Sequence, residues 1–262
     1  MDPAIKLFCS KVIPCLLYGV EIWGWGDQIL SNLERTQNLF MRRILTLPMG
    51  SPVALMRAEL GLPSLCARAN VTILKFWMRQ TRRDTDSLSG QSLLLLLERD
   101  KARSDHLNKL QSRYSIPDDL ISTSGSRNDL RDWIYHMDAV IDSGAIAQSK
   151  VAPFFKLFKR DHFRSAYLIS LPTLTLRMAF TYLRFQAMPT AVRRGRFLHS
   201  SASDRICICG SMATEDLIHY VLDCPLYDDL RNKHIRKLLP WSTTKMDNLI
   251  FLLSKILMSP LE

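Results

Sequence analysis

Four side chains that can bind soft metal ions lie close together between residues 207 and 224. Cys207, Cys209, His219 and Cys224 form the pattern C-x-C-x9-H-x4-C. Structural zinc is held by four Cys or His ligands in a closed tetrahedron, whereas two cysteines separated by one residue are poorly placed for a disulfide. The pattern therefore predicts a small CCHC zinc knuckle with a structural Zn2+ as its cofactor, although the x9 gap is shorter than that of common zinc fingers.

Turn and cap residues flank these four side chains. Gly210 is expected to close the Cys-x-Cys turn, Thr214 to cap a short helix that carries His219, and Pro225 to start the next helix. The alternative interpretation is that the cysteines and the histidine are ordinary core residues that bind no metal.

The charge of the chain is concentrated just before the knuckle. The whole sequence has 35 basic and 25 acidic side chains, a net charge of +10. Residues 146–205 have 11 basic and 2 acidic side chains, whereas residues 206–262 have 6 and 7. Such a basic excess favours a polyanionic partner. We therefore expect RNA or DNA to bind the segment before the knuckle. The alternative is that this segment is a solvated surface that happens to be rich in Lys and Arg.

Eleven basic side chains are candidates for contacts with phosphate. Aromatic residues alternate with cations after residue 150, a pattern that can stack bases and bind the backbone; the alternative is an amphipathic helix whose aromatic rings face the core. Three arginines surround Gly195 in an exposed elbow, and three further cations share one face of a predicted helix over residues 64–82. The candidates are Lys156, Lys159, Arg160, Arg177, Arg184, Arg193, Arg194 and Arg196, with Arg68, Lys75 and Arg79 on the earlier helix.

The apolar residues recur at helical spacing, with almost no strand-like alternation. The sequence therefore predicts a mostly α fold, a multi-helix bundle-like array with a small C-terminal CCHC zinc knuckle. Pro117, Gly125 and several serines predict a linker. The expected segments are a helical region at 1–112, a linker and connecting helix at 113–145, a basic helical region at 146–204, the knuckle at 205–240 and a C-terminal helix at 241–262.

Neither a membrane location nor catalysis is expected. No apolar run reaches the roughly 18 residues of a membrane span, and no secretory leader is recognisable. The sequence therefore predicts an intracellular protein with reduced cysteines, in nucleus or cytoplasm. Asp228 and Asp229 follow Tyr227 in a predicted helix. Adjacent helical side chains point roughly 100° apart, whereas two-metal catalysis needs converging carboxylates, so we expect no catalytic residue.

Several motifs resemble LINE-type (non-LTR) retrotransposon polyproteins. Residues 12–24 read V-I-P-C-L-L-Y-G-V-E-I-W-G, which is similar to the P-x-L-L-Y-G-x-E-x-W segment after the polymerase palm of that family. Residues 33–45, 59–63 and 183–197 continue in the family's order, before the knuckle with its C-P-L-Y ending. The resemblance covers about residues 1–80 and 173–240.

This resemblance implies a thumb-like, post-palm helical region and a zinc knuckle from a reverse transcriptase, the part thought to hold template RNA and target DNA. The family's ligands correspond to Cys207, Cys209, His219 and Cys224. The chain lacks the palm and any endonuclease domain, so we expect no enzyme activity. The expected function is a non-catalytic fragment that binds RNA or DNA backbone, with a reverse transcriptase palm or another protein as a further partner. The alternative is a protein-interaction or structural remnant without nucleic-acid affinity.

Overall fold

The computed structural model describes residues 2–81, 87–88, 91–92, 95, 100–121, 126–236 and 244–255. Within these ranges the chain is mostly helical, and the β-structure is limited to one isolated bridge between Ile206 and Thr214. The prediction of a mostly α fold is confirmed. No helix in these ranges combines the length and the apolar composition that crossing a bilayer requires.

The longer helices alternate with short helical turns. A π-helical turn, Phe8–Val12, joins the first two helices. In chain order the α-helices are α1 Asp2–Leu7, α2 Ile13–Leu16, α3 Val20–Trp23, α4 Asp27–Leu45, α5 Val53–Leu60, α6 Leu65–Thr81, α7 Lys101–Arg113, α8 Asp118–Ile121, α9 Arg127–Ala147, α10 Phe155–Phe158, α11 Tyr167–Ser170, α12 Leu174–Arg184, α13 Ala191–Leu198, α14 Asp228–His234 and α15 Lys245–Lys255.

The chain forms two compact units. Unit 1 comprises Met1–Met41 and Leu60–Gly144, and unit 2 comprises Arg42–Glu59 and Ala145–Glu262. The second part of unit 2 begins at Ala145, one residue before the predicted start of the basic helical region at residue 146. The predicted segment 1–112 is divided, because residues 42–59 belong to unit 2.

Residues 113–145, predicted to be a linker and a connecting helix, are part of the core of unit 1. Tyr114 and Ile116 are buried and pack with Leu130 and Ile134 of α9. The Tyr114 hydroxyl accepts a hydrogen bond from the Asn70 amide nitrogen at 3.1 Å. Pro117, Gly125 and several serines predicted a linker here, but the apolar side chains of Tyr114 and Ile116 place this connection in the core. Residues 122–125 of the predicted linker lie outside the described ranges.

A side-chain cap begins α6 within unit 1. The Ser64 hydroxyl accepts a hydrogen bond from the Ala67 amide at 2.9 Å, as an N-cap serine does. The Asp138 carboxylate of α9 in turn accepts bonds from the Ser64 amide at 2.8 Å and the Ser64 hydroxyl at 2.9 Å. These bonds join the start of α6 to α9.

The core of unit 2 unites three predicted segments. Leu217 is buried with Leu249 and Leu253 of α15, and Phe154 and Phe158 pack against them. The basic region, the region of the knuckle and the C-terminal helix therefore share one apolar cluster. Residues 237–243 and 256–262 of the predicted knuckle and C-terminal helix lie outside the described ranges.

Candidate metal centre and its neighbouring basic helix

A tight antiparallel turn holds the first two cysteines. The Cys207 amide donates to the Ala213 carbonyl at 2.9 Å, beside the bridge between Ile206 and Thr214. Gly210 has a φ of +81°, a left-handed conformation that glycine adopts without steric cost. The predicted turn at Gly210 is therefore present, and it brings Cys207 and Cys209 to one end of the paired segments.

A short helical segment holds the other two candidate ligands. His219–Asp223 is a π-helical turn, and the Cys224 amide donates to the His219 carbonyl at 2.7 Å. The Asp216 carboxylate accepts a hydrogen bond from the His219 amide at 2.8 Å and caps this segment. The predicted cap at Thr214 is wrong, because Thr214 is part of the β-bridge and the helix begins three residues later, at Leu217, with Asp216 as its cap.

The four candidate ligands converge on one point. The Cys207 and Cys224 sulfurs are 3.7 Å apart, and the Cys209 sulfur is 3.4 Å from His219 Nε2. All four ligand atoms lie within 4.8 Å of one another. A disulfide bond would need sulfurs at about 2.05 Å, so the cysteines are free thiols, and the cluster could hold a metal ion.

The environment differs between the two cysteines of the Cys-x-Cys turn. Hydrogen bonds from the side chain and backbone of Ser211 lower the pKa of the Cys209 thiol to about 6, and the Ser211 hydroxyl lies 2.9 Å from its sulfur. Burial raises the pKa of the Cys207 thiol to about 11. Metal ligation requires thiolates, and Cys209 is the cysteine whose surroundings stabilise that form.

Arg231 braces the end of the cluster. This buried side chain donates to the Cys224 carbonyl at 2.6 Å, to the Val221 carbonyl at 3.3 Å and to the Asp228 carboxylate at 2.7 Å. The sequence indicates no role for Arg231 beyond its position as a cation three residues after Asp228. The pair with Arg231 also gives Asp228 a structural role at the start of α14.

Glu215 connects the cluster to α13. Its carboxylate accepts hydrogen bonds from the Ala191 amide at 2.7 Å and from the Arg194 guanidinium at 3.5 Å. Its backbone carbonyl accepts from the Val192 amide at 3.3 Å, and the Thr190 hydroxyl caps the same helix at the Arg193 amide. The first turn of α13 is thus attached to the segment between Cys209 and His219.

Most of the predicted phosphate contacts in unit 2 reach solvent. Arg177 and Arg193 are half-buried, and the Arg193 guanidinium donates to the Gln186 carbonyl at 3.0 Å. Burial lowers the pKa of Arg193. The Lys156 ammonium donates to the Ala147 carbonyl at 3.2 Å. The exposed members of the predicted set in this unit are Lys156, Arg160, Arg194 and Arg196.

Two of the predicted phosphate contacts are wrong because both side chains are buried. Arg184 is 3% exposed and forms a two-pronged pair with Glu59, with N–O distances of 2.6 and 3.0 Å. Its guanidinium lies 4.4 Å from the centre of the Phe158 ring. Lys159 is 7% exposed, and its ammonium donates to Asp161 and to the Phe163 carbonyl. Their charges are already satisfied inside unit 2, so neither is available to phosphate.

The three predicted contacts on α6 belong to unit 1. Arg79 is exposed, whereas Arg68 and Lys75 are half-buried. The Arg68 guanidinium lies 5.9 Å from the centre of the Tyr135 ring. Burial and then the nearby Arg131 charge lower the pKa of Lys75. Only Arg79 of the three is exposed to solvent.

Comparisons of the chain with models of protein families, with curated proteins and with solved structures found no match. The chemistry of the cluster is therefore inferred from its own residues and geometry.

Proposed function

We propose that this chain is a non-catalytic nucleic-acid-binding module in which a structural zinc knuckle braces a basic helical surface. The observation that carries the proposal is the connection through Glu215, whose carboxylate lies 2.7 Å from the Ala191 amide. That bond ties α13, with its exposed Arg194 and Arg196, to the Cys/His cluster. A metal ion bound by the cluster would therefore stabilise the position of α13 and its arginines without contacting nucleic acid itself.

The distances within the cluster support zinc as the metal. Sulfur and nitrogen ligands at about 2.3 Å and 2.0–2.1 Å from a tetrahedral zinc lie roughly 3.8 Å apart for two sulfurs and roughly 3.6 Å apart for sulfur and nitrogen. The observed separations are 3.7 Å between Cys207 and Cys224 and 3.4 Å between Cys209 and His219. Three thiolates and one imidazole fill all four positions, so we propose a structural rather than a catalytic ion.

The charge distribution supports a polyanionic partner. Residues 146–205 carry 11 basic and 2 acidic side chains, and Arg160, Arg194 and Arg196 are exposed. Exposed cations on a phosphate backbone release condensed counterions, so binding weakens steeply as salt rises. We therefore propose RNA or DNA backbone as the ligand, with little readout of base sequence from these cations.

We propose that the chain derives from the post-palm region of a LINE-type retrotransposon reverse transcriptase. This proposal rests on the sequence motifs at residues 12–24, 33–45, 59–63 and 183–197. In that setting the chain would hold nucleic acid for a polymerase, and it would neither polymerise nor cut by itself. The Arg231 pair supports the absence of catalysis at Asp228, because a carboxylate already paired with an arginine is poorly suited to hold a catalytic cation.

Binding of labelled single-stranded RNA and DNA across a salt series tests this function. We expect the double variant R194Q/R196Q to bind more weakly and to show a shallower dependence on salt, by roughly 0.7 in the logarithmic slope for each lost contact with a single strand. K233Q/R236Q, which removes two exposed cations outside the basic segment 146–205, is the charge-matched control and should bind as the parent does. Failure of the parent to bind at low salt would refute the proposal.

A protein-interaction role is the second candidate, and one observation favours it. Tyr18 is 87% and Ile22 is 67% exposed, and both lie in the segment that resembles the one after the palm. Large exposed apolar side chains grouped along the chain are typical of interaction surfaces. A chain that self-associates without binding nucleic acid, and becomes monomeric as Y18S/I22S, would favour this role.

A further inference from the structure

A cleft of about 290 Å³ lies beside α13 in unit 2. Its apolar lining includes Phe154 and Leu217, and its polar lining includes Arg193, Arg196 and the Asp216 carboxylate. Ligand pockets in proteins usually measure roughly 300–1,000 Å³. This cleft is therefore suited to one flat ring system with a charged substituent, and it is too small for an extended ligand.

An unpaired amide lines the same cleft. Gln186 Nε2 is buried without a hydrogen-bond partner. Buried polar groups in folded proteins are nearly always paired. The nitrogen has no accessible surface as the side chain stands, so a ligand in the cleft would pair it by reorienting the Gln186 side chain. Gln186 also has a φ of +50°, the left-handed conformation that ends α12, where the amides of Gln186 and Ala187 donate to the carbonyls of Leu183 and Tyr182. This turn directs the chain from α12 along the cleft.

The two arginines of the cleft have no acidic partner. Among the described residues neither Arg193 nor Arg196 forms an ion pair, although Asp216 lines the same cleft. Arg193 is half-buried, and its guanidinium donates to the Gln186 carbonyl at 3.0 Å. A half-buried cation without a counter-charge favours the binding of an anion.

The cleft offers groups that suit both the phosphate and the base of a nucleotide. A phosphate suits the two arginines, since guanidinium groups bind phosphate through paired N–H donors. An aromatic base suits the wall that contains Phe154 and Leu217. The base edge carries donors and acceptors that the Gln186 amide and the free oxygen of Asp216 can match. An apolar ligand would leave the arginines and the amide unpaired.

We propose that this cleft binds one unstacked nucleotide of a single-stranded nucleic acid, with its phosphate at Arg193 and Arg196 and its base against Phe154. This inference rests on the proposed function and adds a base-dependent contact to the binding of backbone by the exposed cations. It also assigns Gln186 a role in recognition that the sequence did not indicate.

The test compares two strands of equal length and charge, an oligothymidylate and an abasic oligodeoxynucleotide. We expect the parent chain to bind the strand with bases roughly tenfold more tightly, the effect of a single stacked base. Gln186→Gly should lose most of this preference and remain folded, because glycine tolerates the positive φ. Val192→Trp, which fills the cleft, should lose the preference as well. Arg194→Gln, whose side chain lies outside the cleft, should weaken binding of both strands equally.

The outcomes separate the inference from the function on which it rests. Equal affinity of the parent for both strands would overturn the nucleotide cleft and leave backbone binding in place. A preference for oligothymidylate over the abasic strand that persists in both cleft variants would overturn it too. So would saturable binding of free thymidine monophosphate by a chain that binds the two strands equally well. Binding of neither strand at low salt would overturn the inference and the proposed function together.

Discussion

The Glu215 carboxylate accepts a hydrogen bond from the Ala191 amide at 2.7 Å. Ala191 is the first residue of α13, and Glu215 lies between Cys209 and His219 in the chain. One side chain therefore caps the basic helix from within the segment that carries the candidate metal ligands. This relationship gives the cluster a structural consequence beyond its own few residues.

Removing that carboxylate should loosen α13 while the metal stays bound. Glu215→Ala leaves the Ala191 amide without its acceptor, and loss of a helix cap costs about 1 kcal/mol. We expect faster hydrogen exchange at the amides of residues 191–193 and a several-fold weaker affinity for single-stranded RNA. Glu215→Gln keeps an acceptor oxygen and is the matched control. Unchanged exchange in the alanine variant would show that Glu215 does not hold the helix.

The buried pair of Arg184 and Glu59 should stabilise unit 2 rather than bind nucleic acid. Removing one partner leaves the other charge buried and unpaired, which typically costs about 3–5 kcal/mol. We expect Glu59→Gln to lower the free energy of unfolding by that order in urea titrations. The double change E59L/R184M should restore much of the loss, because an apolar pair leaves no unpaired charge. If Arg184→Met instead weakened RNA binding with no change in stability, the structural role would be wrong.

Arg231 should control how tightly the metal is kept. It donates to the carbonyl of Cys224, a candidate ligand, and loss of such supporting contacts typically weakens metal affinity 10- to 100-fold. We expect Arg231→Gln to release zinc to a chelator at least about tenfold faster than the parent. Arg231→Lys should not rescue it, because an ammonium lacks the forked donors of a guanidinium. Release from Lys233→Gln should match the parent, and equal release from all three variants would exclude this role.

Loss of a ligand should unfold one region and spare another. We expect the purified chain to contain one zinc ion, and Cys224→Ser to contain none. Because unit 1 has its own core around Tyr114 and Leu130, its amides should keep their protection from exchange in this variant. The amides of residues 205–231 should lose theirs. A zinc-free Cys224→Ser chain with full protection in that region would argue against a structural metal.

The candidate ligands could be predicted from the sequence because their chemistry is local. Cys207, Cys209, His219 and Cys224 lie in one short stretch, and Gly210 marks the turn that the geometry needs. Their convergence within 4.8 Å agrees with that expectation. Residues 206–262 are slightly acidic and the basic excess lies before the cluster; contact of those arginines with phosphate stays a prediction.

Other features depend on partners that are distant in sequence. Arg184 was expected to contact phosphate, but its partner Glu59 is 125 residues away, and no local pattern reveals that pairing. Lys159 was missed for a different reason. Its acceptor, the Phe163 carbonyl, is only four residues away, but it is a backbone group, and composition does not reveal backbone acceptors. The connection near Tyr114 was expected to be a linker on its proline, glycine and serine content. Composition does not show that two apolar side chains of such a segment are buried in a core.

The affinity for single-stranded RNA, measured across a salt series with the zinc-loaded and with the zinc-stripped chain, shows whether the Cys/His cluster supports a nucleic-acid-binding surface. We expect the zinc-loaded chain to bind tightly at low salt, with an affinity that falls steeply as salt rises. Removal of zinc should lower the affinity several-fold, because α13 loses its support. Equal affinities with and without zinc, or binding that is insensitive to salt, would show that the proposed function is wrong.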